Sequence, residues 1–253
     1  MNSIIQNYNL LVKKYQKIEE DLTENQIHDK RVILRRIFPI LAACKIKPSK
    51  VKNGEEAFEL FGKLRDIQVQ LLKLESIEHT PDIVEYLAYL KERELKLKER
   101  VSKFCKKKKL IFPTIKKGKV EKERIYKKFD KSFYKLIDSL LIESIDDAED
   151  IHNIRIEFKK FRYIVEVLSY IDEIDEAKLE KLKMHQDKLG EIQDYEVLIR
   201  GIKKFCRKKD PGEEANTEVF EIAQNTLIEC FENDISLFIE DCKDVILLKR
   251  TQN

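Results

Sequence analysis

Apolar residues recur every three or four positions through most of the chain, which is the spacing of one face of an α-helix. Alternation of apolar and polar residues, the pattern of a half-buried strand, does not extend over any useful length. The sequence therefore predicts an all-α protein. Eight helices are predicted, over about residues 3–21, 24–45, 54–77, 82–109, 121–144, 148–171, 174–209 and 214–247.

The longest interruption of the helical pattern lies around residues 110–120. It divides a single domain, 1–253, into a first helical half, 3–109, and a second helical half, 121–247, with about four helices each. Pro39 lies inside the second predicted helix and is expected to end or kink it, because proline removes a backbone hydrogen bond and its ring clashes with the preceding turn.

Two blocks of sequence occur twice, in the same order. Residues 27–38 align without gaps with residues 151–162, an offset of 124 (27 to 151). Residues 61–69 align with residues 189–197, an offset of 128 (61 to 189). One such match could arise by chance between helical sequences, but two in the same order indicate an internal repeat.

The first block places basic side chains on one face of a helix and apolar side chains on the other, at about 100° per residue. In the second repeat the polar face carries His152, Arg155, Lys159, Arg162 and Tyr163. Behind it lie Ile154, Phe158, Phe161, Val165 and Leu168. In the first repeat the polar face carries His28, Arg31 and Arg35, in front of Leu34, Ile37 and Leu41. The flanks carry Arg36 and Lys160.

Like charges stacked along a helix destabilise it, by about 0.2–0.5 kcal/mol per pair. Two interpretations stay open: salt bridges to Asp66 and Asp194 of the second block, or a bound anion. Because the cations outnumber these carboxylates, we favour a polyanion site in which Asp66 and Asp194 orient the basic side chains. Gly62 and Gly190, each four residues before its aspartate, are expected to let two helices approach closely.

A second basic stripe lies on the helix that precedes His152. Four cations fall at i, i+4, i+7 and i+11, which is one helical face. They are Arg124, Lys128, Lys131 and Lys135. The other side carries Ile125, Phe129, Leu136 and Leu140. An ordinary solvated face would show this pattern too, but beside the histidine stripe it predicts the opposite wall of one cleft.

Composition and charge narrow the classes of function. The net charge is only +3, yet residues 98–135 hold 16 Lys or Arg against four acidic residues, and residues 210–253 hold 11 acidic residues against three basic ones. Only six glycines occur, and no glycine-rich phosphate loop is present. The five cysteines are scattered, which is typical of reduced thiols. Since no signal peptide or run of 18 apolar residues is evident, we predict a cytoplasmic protein without a membrane span.

These motifs resemble the CHAD family, the conserved-histidine α-helical domain. The H-x-x-R-x-x-x-[RK]-[RK] block begins at His28 and at His152, and the L-G-x-x-x-D-type block ends at Asp66 and at Asp194. The resemblance covers nearly the whole chain, from about residue 3 to residue 247, and two motif types that each occur twice make it fairly specific.

The resemblance implies two similar helical bundles related by a pseudo-twofold axis, with a central basic cavity that binds inorganic polyphosphate. It also implies association with polyphosphate granules. The second repeat matches the family's basic-then-aromatic ending at Arg162 and Tyr163, whereas the first repeat has Phe38 and Pro39 there. We therefore expect the first half to bind more weakly. The oligomeric state does not follow from the sequence.

Three functions are compatible with these residues. A non-catalytic polyphosphate-binding module is favoured, and its affinity should rise as the pH falls through about 6–7, because a bound anion favours the protonated histidine. A nucleic-acid-binding protein could stack bases on Tyr126, Phe129 and Tyr134, but no recognised nucleic-acid motif is present. A phosphohydrolase is less favoured, since each repeat offers one histidine and one aspartate without a nucleophile or metal set. We expect no catalytic residue, no metal and no cofactor.

Overall fold

Helices account for nearly all of the regular structure. The computed structural model describes residues 2–18, 23–75, 80–140, 148–172, 174–210 and 215–250. Its α-helices are α1 (Asn2–Lys17), α2 (Glu24–Ala43), α3 (Gly54–Glu75), α4 (Pro81–Lys107), α5 (Lys122–Leu140), α6 (Ala148–Leu168), α7 (Glu176–Lys209), α8 (Glu218–Asn233) and α9 (Ile235–Arg250). Two 3₁₀ turns lie at Pro48–Lys50 and Lys117–Lys119. These ranges contain no strand beyond one isolated bridge between Lys52 and Ile111, which confirms the all-α prediction.

Most predicted helix boundaries agree with the structure to within about three residues, and two features of the helices differ from the prediction. The last predicted helix is two helices in the structure, α8 and α9, which are separated by Asp234. Aspartate favours turns and helix ends because its side chain competes for backbone hydrogen bonds. Pro39 does not end α2, which continues to Ala43. Proline removes one backbone N–H donor, but the residues after it still donate backbone hydrogen bonds to carbonyls of the preceding turn, as Cys44 does to Ile40. The predicted helix ends at 21, 77 and 144 and the predicted start at 214 lie outside the described residues.

The helices form two compact units, Met1–Glu121 and Lys122–Asn253, here called unit 1 and unit 2. In unit 1, α2 packs on α1, α3 on α2 and α4 on α3. In unit 2, α6 packs on α5, α7 on α6, and both α8 and α9 on α7. The first sequence block therefore lies on α2 and α6, and the second on α3 and α7. His28 and His152 each lie four residues after the first residue of their helix.

A capping box fixes the start of α2 just before His28. The Thr23 hydroxyl accepts a hydrogen bond from the Gln26 backbone N–H (3.3 Å), and the Gln26 side-chain oxygen accepts one from the Thr23 N–H (2.8 Å). A cap of this kind stabilises a helix by about 1 kcal/mol. The first turn of α2 is thereby held in place, and with it the position of the histidine.

The apolar stripes predicted on α2 and α6 form the cores of the two units. All five apolar residues behind His152 are buried, and so are the three behind His28. On α5, Ile125, Phe129 and Leu136 are buried as well, while Leu140 is partly exposed. Full burial of an aliphatic or aromatic side chain contributes about 1.5–3 kcal/mol, so these stripes fix the rotation of each helix and turn its basic face outward.

His185 belongs to the core of unit 2. Its Nε2 atom lies 2.8 Å from Oδ2 of Asp241, whose other oxygen accepts from Lys181 (2.9 Å). Burial favours the neutral acid, but the hydrogen bonds from Lys181 and His185 hold the pKa of Asp241 below its ordinary value. The imidazole meets Phe158 and Phe238 edge to face, so His185 is a structural histidine.

All five cysteines are free thiols: four are buried and Cys230 is exposed. Within the described ranges, none of the helices combines the length and the apolar character needed to cross a bilayer.

Candidate anion-binding site

The basic face of α6 is partly buried along its length. Its five predicted site residues are all half-buried: His152, Arg155, Lys159, Arg162 and Tyr163. Because the opposite face of α6 is fixed in the core, these side chains project to the same side of the helix. The structure therefore brings the α6 part of the predicted site together.

Two glutamines of α7 hold the two ends of this face. Nδ1 of His152 donates a hydrogen bond to the side-chain oxygen of Gln193. Nη1 of Arg162 donates to the side-chain oxygen of Gln186, at 3.0 Å. Since the residue numbers increase along α7 while they decrease along α6, the two helices run in opposite directions.

The hydrogen bond to Gln193 sets the role that His152 has for a ligand. With Nδ1 donating, the neutral ring offers only an acceptor lone pair at Nε2. Protonation converts Nε2 into a donor and adds a positive charge. With this tautomer and this orientation of the Gln193 amide, Nε2 of His152 donates to phosphate oxygens when the ring is protonated.

An open space lies between the two glutamines. Gly190 is four residues after Gln186 and three before Gln193, so all three lie on one face of α7. A Cβ atom at Gly190 would meet no described atom within 4 Å. The expected close approach of two helices at this glycine is therefore wrong, and the missing side chain instead leaves room beside His152 and Arg162.

Unit 1 fills the corresponding space with one of its own site residues. A Cβ atom at Gly62 would lie 3.5 Å from Nε and 3.7 Å from Nη2 of Arg31. The same guanidinium lies over the ring of Phe58, 5.4 Å from its centroid. Arg31 is thus turned back onto α3, and no comparable gap is left beside Gly62.

The environment of His28 is strongly cationic. The ring is exposed, and its pKa is lowered, chiefly by partial desolvation and by the positive charge of Arg65, with smaller contributions from Arg35 and Arg31. Asp29 acts in the opposite direction. His28 is therefore neutral near pH 7 in the ligand-free protein, and a bound anion would favour its protonation.

Other predicted residues have mixed outcomes. Lys160 is exposed and forms an ion pair with Glu157 of its own helix at 2.6 Å, and its contribution to an anion site stays a prediction. Arg36 is exposed on the flank of α2. Asp66 and Asp194 each take part in at least one interaction, and their role in orienting the basic side chains stays a prediction.

The basic stripe of α5 lies on a helix that packs directly on α6. Phe129 and Phe133 of α5 both contact Phe161 of α6, with ring centroids 5.5 and 5.8 Å apart. Nη1 of Arg124 is buried and has no hydrogen-bond partner among the described residues. The other three cations of the stripe differ in exposure: Lys131 and Lys135 are exposed and Lys128 is half-buried.

Three residues of the site were not identified from the sequence: Arg65, whose charge acts on His28, Gln186, which contacts Arg162, and Gln193, which contacts His152. The repeat itself contained a signal for two of them, because Arg65 and Gln193 occupy aligned positions, one residue before the aspartate of the second block. Position 186 lies just before that block. Within the described ranges, no group of three or more His, Cys, Asp or Glu residues is placed to hold a metal ion.

Comparisons with known proteins identify the family. The family profile of the CHAD domain matches residues 7–201. Among solved structures, the crystal structure of the CHAD domain from the plant Ricinus communis is similar, with a TM-score of 0.62 and 17% sequence identity, over 95% of this chain and 89% of that chain. A comparison with curated protein sequences gave no significant match. The structural likeness concerns the fold, and the profile covers well over half of the residues, so this chain belongs to the CHAD family.

Proposed function

We propose that this chain binds inorganic polyphosphate, and that the main binding site lies on the α6–α7 face of unit 2. The observation that carries the proposal is the open space at Gly190, which lies between the Gln193 contact of His152 and the Gln186 contact of Arg162. A cationic face beside an unfilled space is suited to a flexible anion, because the anion can approach the basic side chains through that space.

Each type of side chain has a defined role in this proposal. Arg155 and Arg162 offer planar guanidinium groups that bind two oxygens of one phosphate, whereas Lys159 acts as a compact charge that can follow successive phosphates. Protonated His152 adds one donor at Nε2. Gln186 and Gln193 position the arginine and the histidine at the two ends of the face without adding negative charge.

A phosphate chain suits this face better than a nucleic acid does. The polar face of α6 carries one aromatic residue, Tyr163, which is half-buried, so it offers little surface on which bases could stack. Polyphosphate has no bases, so the basic side chains alone can bind it. We also propose that the role is binding rather than catalysis, because the side chains that His152 and Arg162 contact, Gln193 and Gln186, are amides, which act neither as a general base nor as a nucleophile.

Competition between two polyanions tests the proposal. Long-chain polyphosphate and single-stranded DNA of equal charge are titrated against the protein at matched salt, because both affinities fall as salt rises. We expect tighter binding of polyphosphate by about tenfold or more. Tighter binding of DNA, or no binding of polyphosphate, would overturn the proposal.

Association with polyphosphate granules follows as an expectation about the cell. A fluorescent fusion of the full chain should colocalise with granules, and an Arg155→Ala/Lys159→Ala fusion should be diffuse. Diffuse distribution of the unsubstituted fusion in cells that contain granules would contradict this expectation.

A further inference from the structure

We propose that the C-terminal part of α7 forms a second phosphate-binding subsite, which extends the His152 site and makes unit 2 prefer long phosphate chains over short ones. This inference rests on the proposed function. The subsite is a groove of about 500 Å³, lined by Glu196, Ile199, Arg200, Lys203, Lys204, Arg207 and Lys208. None of these cations belongs to the duplicated blocks, and most of the groove lies beyond residue 201, where the family match ends.

The groove continues the face of α7 that contacts His152. Arg200, Lys204 and Arg207 follow Gln193 by 7, 11 and 14 residues, which returns each of them to the side of the helix that carries Gln193. Because α6 begins only four residues before His152, about 12 residues of α7, or about 18 Å, extend past the first turn of α6. The cations of the groove begin at Arg200, seven residues or about 10 Å along α7 from Gln193, with Glu196 between them, so a long phosphate chain can span from His152 to the groove whereas a short one cannot.

The charges of the groove are not balanced within the described residues. Lys203 is paired with Glu221 at 2.7 Å, and hydrogen bonds from Lys203 and Thr217 hold the pKa of Glu221 below its ordinary value. Glu196 accepts a hydrogen bond from Gln224 at 3.3 Å. Four exposed cations have no ion-pair partner in the described part of the chain: Arg200, Lys204, Arg207 and Lys208.

Helix electrostatics explain only part of this cluster. Cations in the last turn of a helix interact favourably with its negative end, which accounts for Arg207 and Lys208. The effect fades within one turn, so it does not reach Arg200 or Lys204. These two residues stand four apart and repel each other, and a bound anion would remove that cost.

The residues that line the groove favour a phosphate chain over a nucleic acid. Ile199 is the apolar member among the described lining residues, and none of them is aromatic, so bases would find no stacking surface. Exposed guanidinium and ammonium groups along one helical face instead match a ligand that carries a charge at every repeating unit.

The test compares chain lengths and variants by calorimetry at constant salt. The triple variant Arg200→Gln/Lys204→Gln/Arg207→Gln removes three charges from the groove. The control variant Lys13→Gln/Lys14→Gln/Lys17→Gln removes three charges from exposed positions of α1. Both are titrated with tripolyphosphate and with long-chain polyphosphate, and circular dichroism verifies that they are folded.

We expect the triple variant to lose about tenfold in affinity for long-chain polyphosphate, with an almost unchanged affinity for tripolyphosphate. The control should change both affinities by about twofold or less. Equal affinity of the triple variant and the unsubstituted protein for long chains would overturn the subsite while leaving polyphosphate binding intact. Absence of polyphosphate binding by the unsubstituted protein would overturn both proposals.

Discussion

The two repeats place a histidine at the same point of a helix, yet they treat the space beside it differently. In unit 2, Arg162 donates to Gln186, and the position of Gly190 is open. In unit 1, the residues at the positions of Arg162 and Gln186 are Phe38 and Phe58, whose rings pack edge to face 5.5 Å apart. A polar contact in one repeat is thus an aromatic contact in the other.

This exchange changes what the neighbouring arginine can do. The guanidinium of Arg31 lies over the face of the Phe58 ring, in a cation–π contact, and beside Gly62. In unit 2 the aligned side chain is Gln186, which binds Arg162 instead. The comparison teaches that a duplicated motif can keep its histidine and the arginine three residues later while an aromatic residue of the neighbouring helix holds that arginine against the protein. We therefore expect unit 2 to supply most of the affinity for polyphosphate.

The largest expected effect comes from removing the central cations of each repeat. Arg155→Ala/Lys159→Ala should weaken binding of long-chain polyphosphate by about a hundredfold, because charge-assisted hydrogen bonds contribute about 1.5–3 kcal/mol each. Arg31→Ala/Arg35→Ala should weaken it by less than about tenfold, since Arg31 is engaged by Phe58. Calorimetric titration measures both, with thermal melting as the folding control. Equal losses in two folded variants would contradict the proposed asymmetry.

Filling the open space should have the next largest effect. Gly190→Leu replaces a poor helix former by a good one, so the melting temperature should stay equal or rise. Affinity for polyphosphate should nevertheless fall about tenfold, because the side chain occupies the space assigned to phosphate. Gly62→Ala is the matched control: its methyl group meets Arg31 at ordinary contact distance, and affinity should change by about twofold or less. An unchanged affinity of the Gly190→Leu variant would show that phosphate does not bind in this space.

The pH dependence of binding should be of intermediate size. The pKa of His28 is lowered in the free protein, and a bound anion raises it, so binding takes up a proton and tightens as the pH falls. Between about pH 8 and about pH 6, affinity should rise about fivefold. His28→Gln should remove most of this rise, in titrations at several pH values. A flat profile for the unsubstituted protein would show that His28 takes up no proton when the anion binds.

The lowered pKa of His28 also predicts how the stability of the ligand-free protein depends on pH. Because the pKa of His28 is lower in the folded state than in the unfolded chain, the unfolded chain binds more protons, and His28 lowers the stability as the pH falls below the ordinary histidine range. Chemical denaturation should therefore show His28→Gln gaining stability relative to the unsubstituted protein between about pH 7 and about pH 5. A constant difference across this range would contradict the assigned direction.

Converting unit 1 toward unit 2 should produce the smallest effect. Phe38→Arg/Phe58→Gln restores the residue pair of unit 2 and removes the ring that holds Arg31. Affinity for polyphosphate should rise about threefold, provided that the loss of aromatic packing leaves the variant folded. The single variant Phe58→Leu, which removes the ring but adds no polar partner, separates the release of Arg31 from the new contact. No gain in either folded variant would show that Phe58 does not limit binding.

The helices and their buried faces could be predicted from the sequence because both follow from local periodicity. Ile154, Phe158 and Phe161 are buried as their spacing indicates, and this burial turns His152 and Arg155 outward. The ion pair of Lys160 with Glu157 was visible in principle, since the two residues lie three positions apart.

The contacts between helices could not be predicted in the same way. Gln186 and Gln193 are uncharged residues of a long helix, and only the rotation of α7 against α6 shows that they reach Arg162 and His152. The role of glycine depends on that rotation as well: the same motif borders a filled space at Gly62 and an open one at Gly190.

A crystal structure of the protein with tripolyphosphate tests the central claim most directly. The account predicts phosphate density over Gly190, with oxygens within hydrogen-bond distance of Arg155, Lys159 and Nε2 of His152, and weaker or absent density beside Gly62. Phosphate bound beside Gly62 while the space at Gly190 stays empty would contradict it.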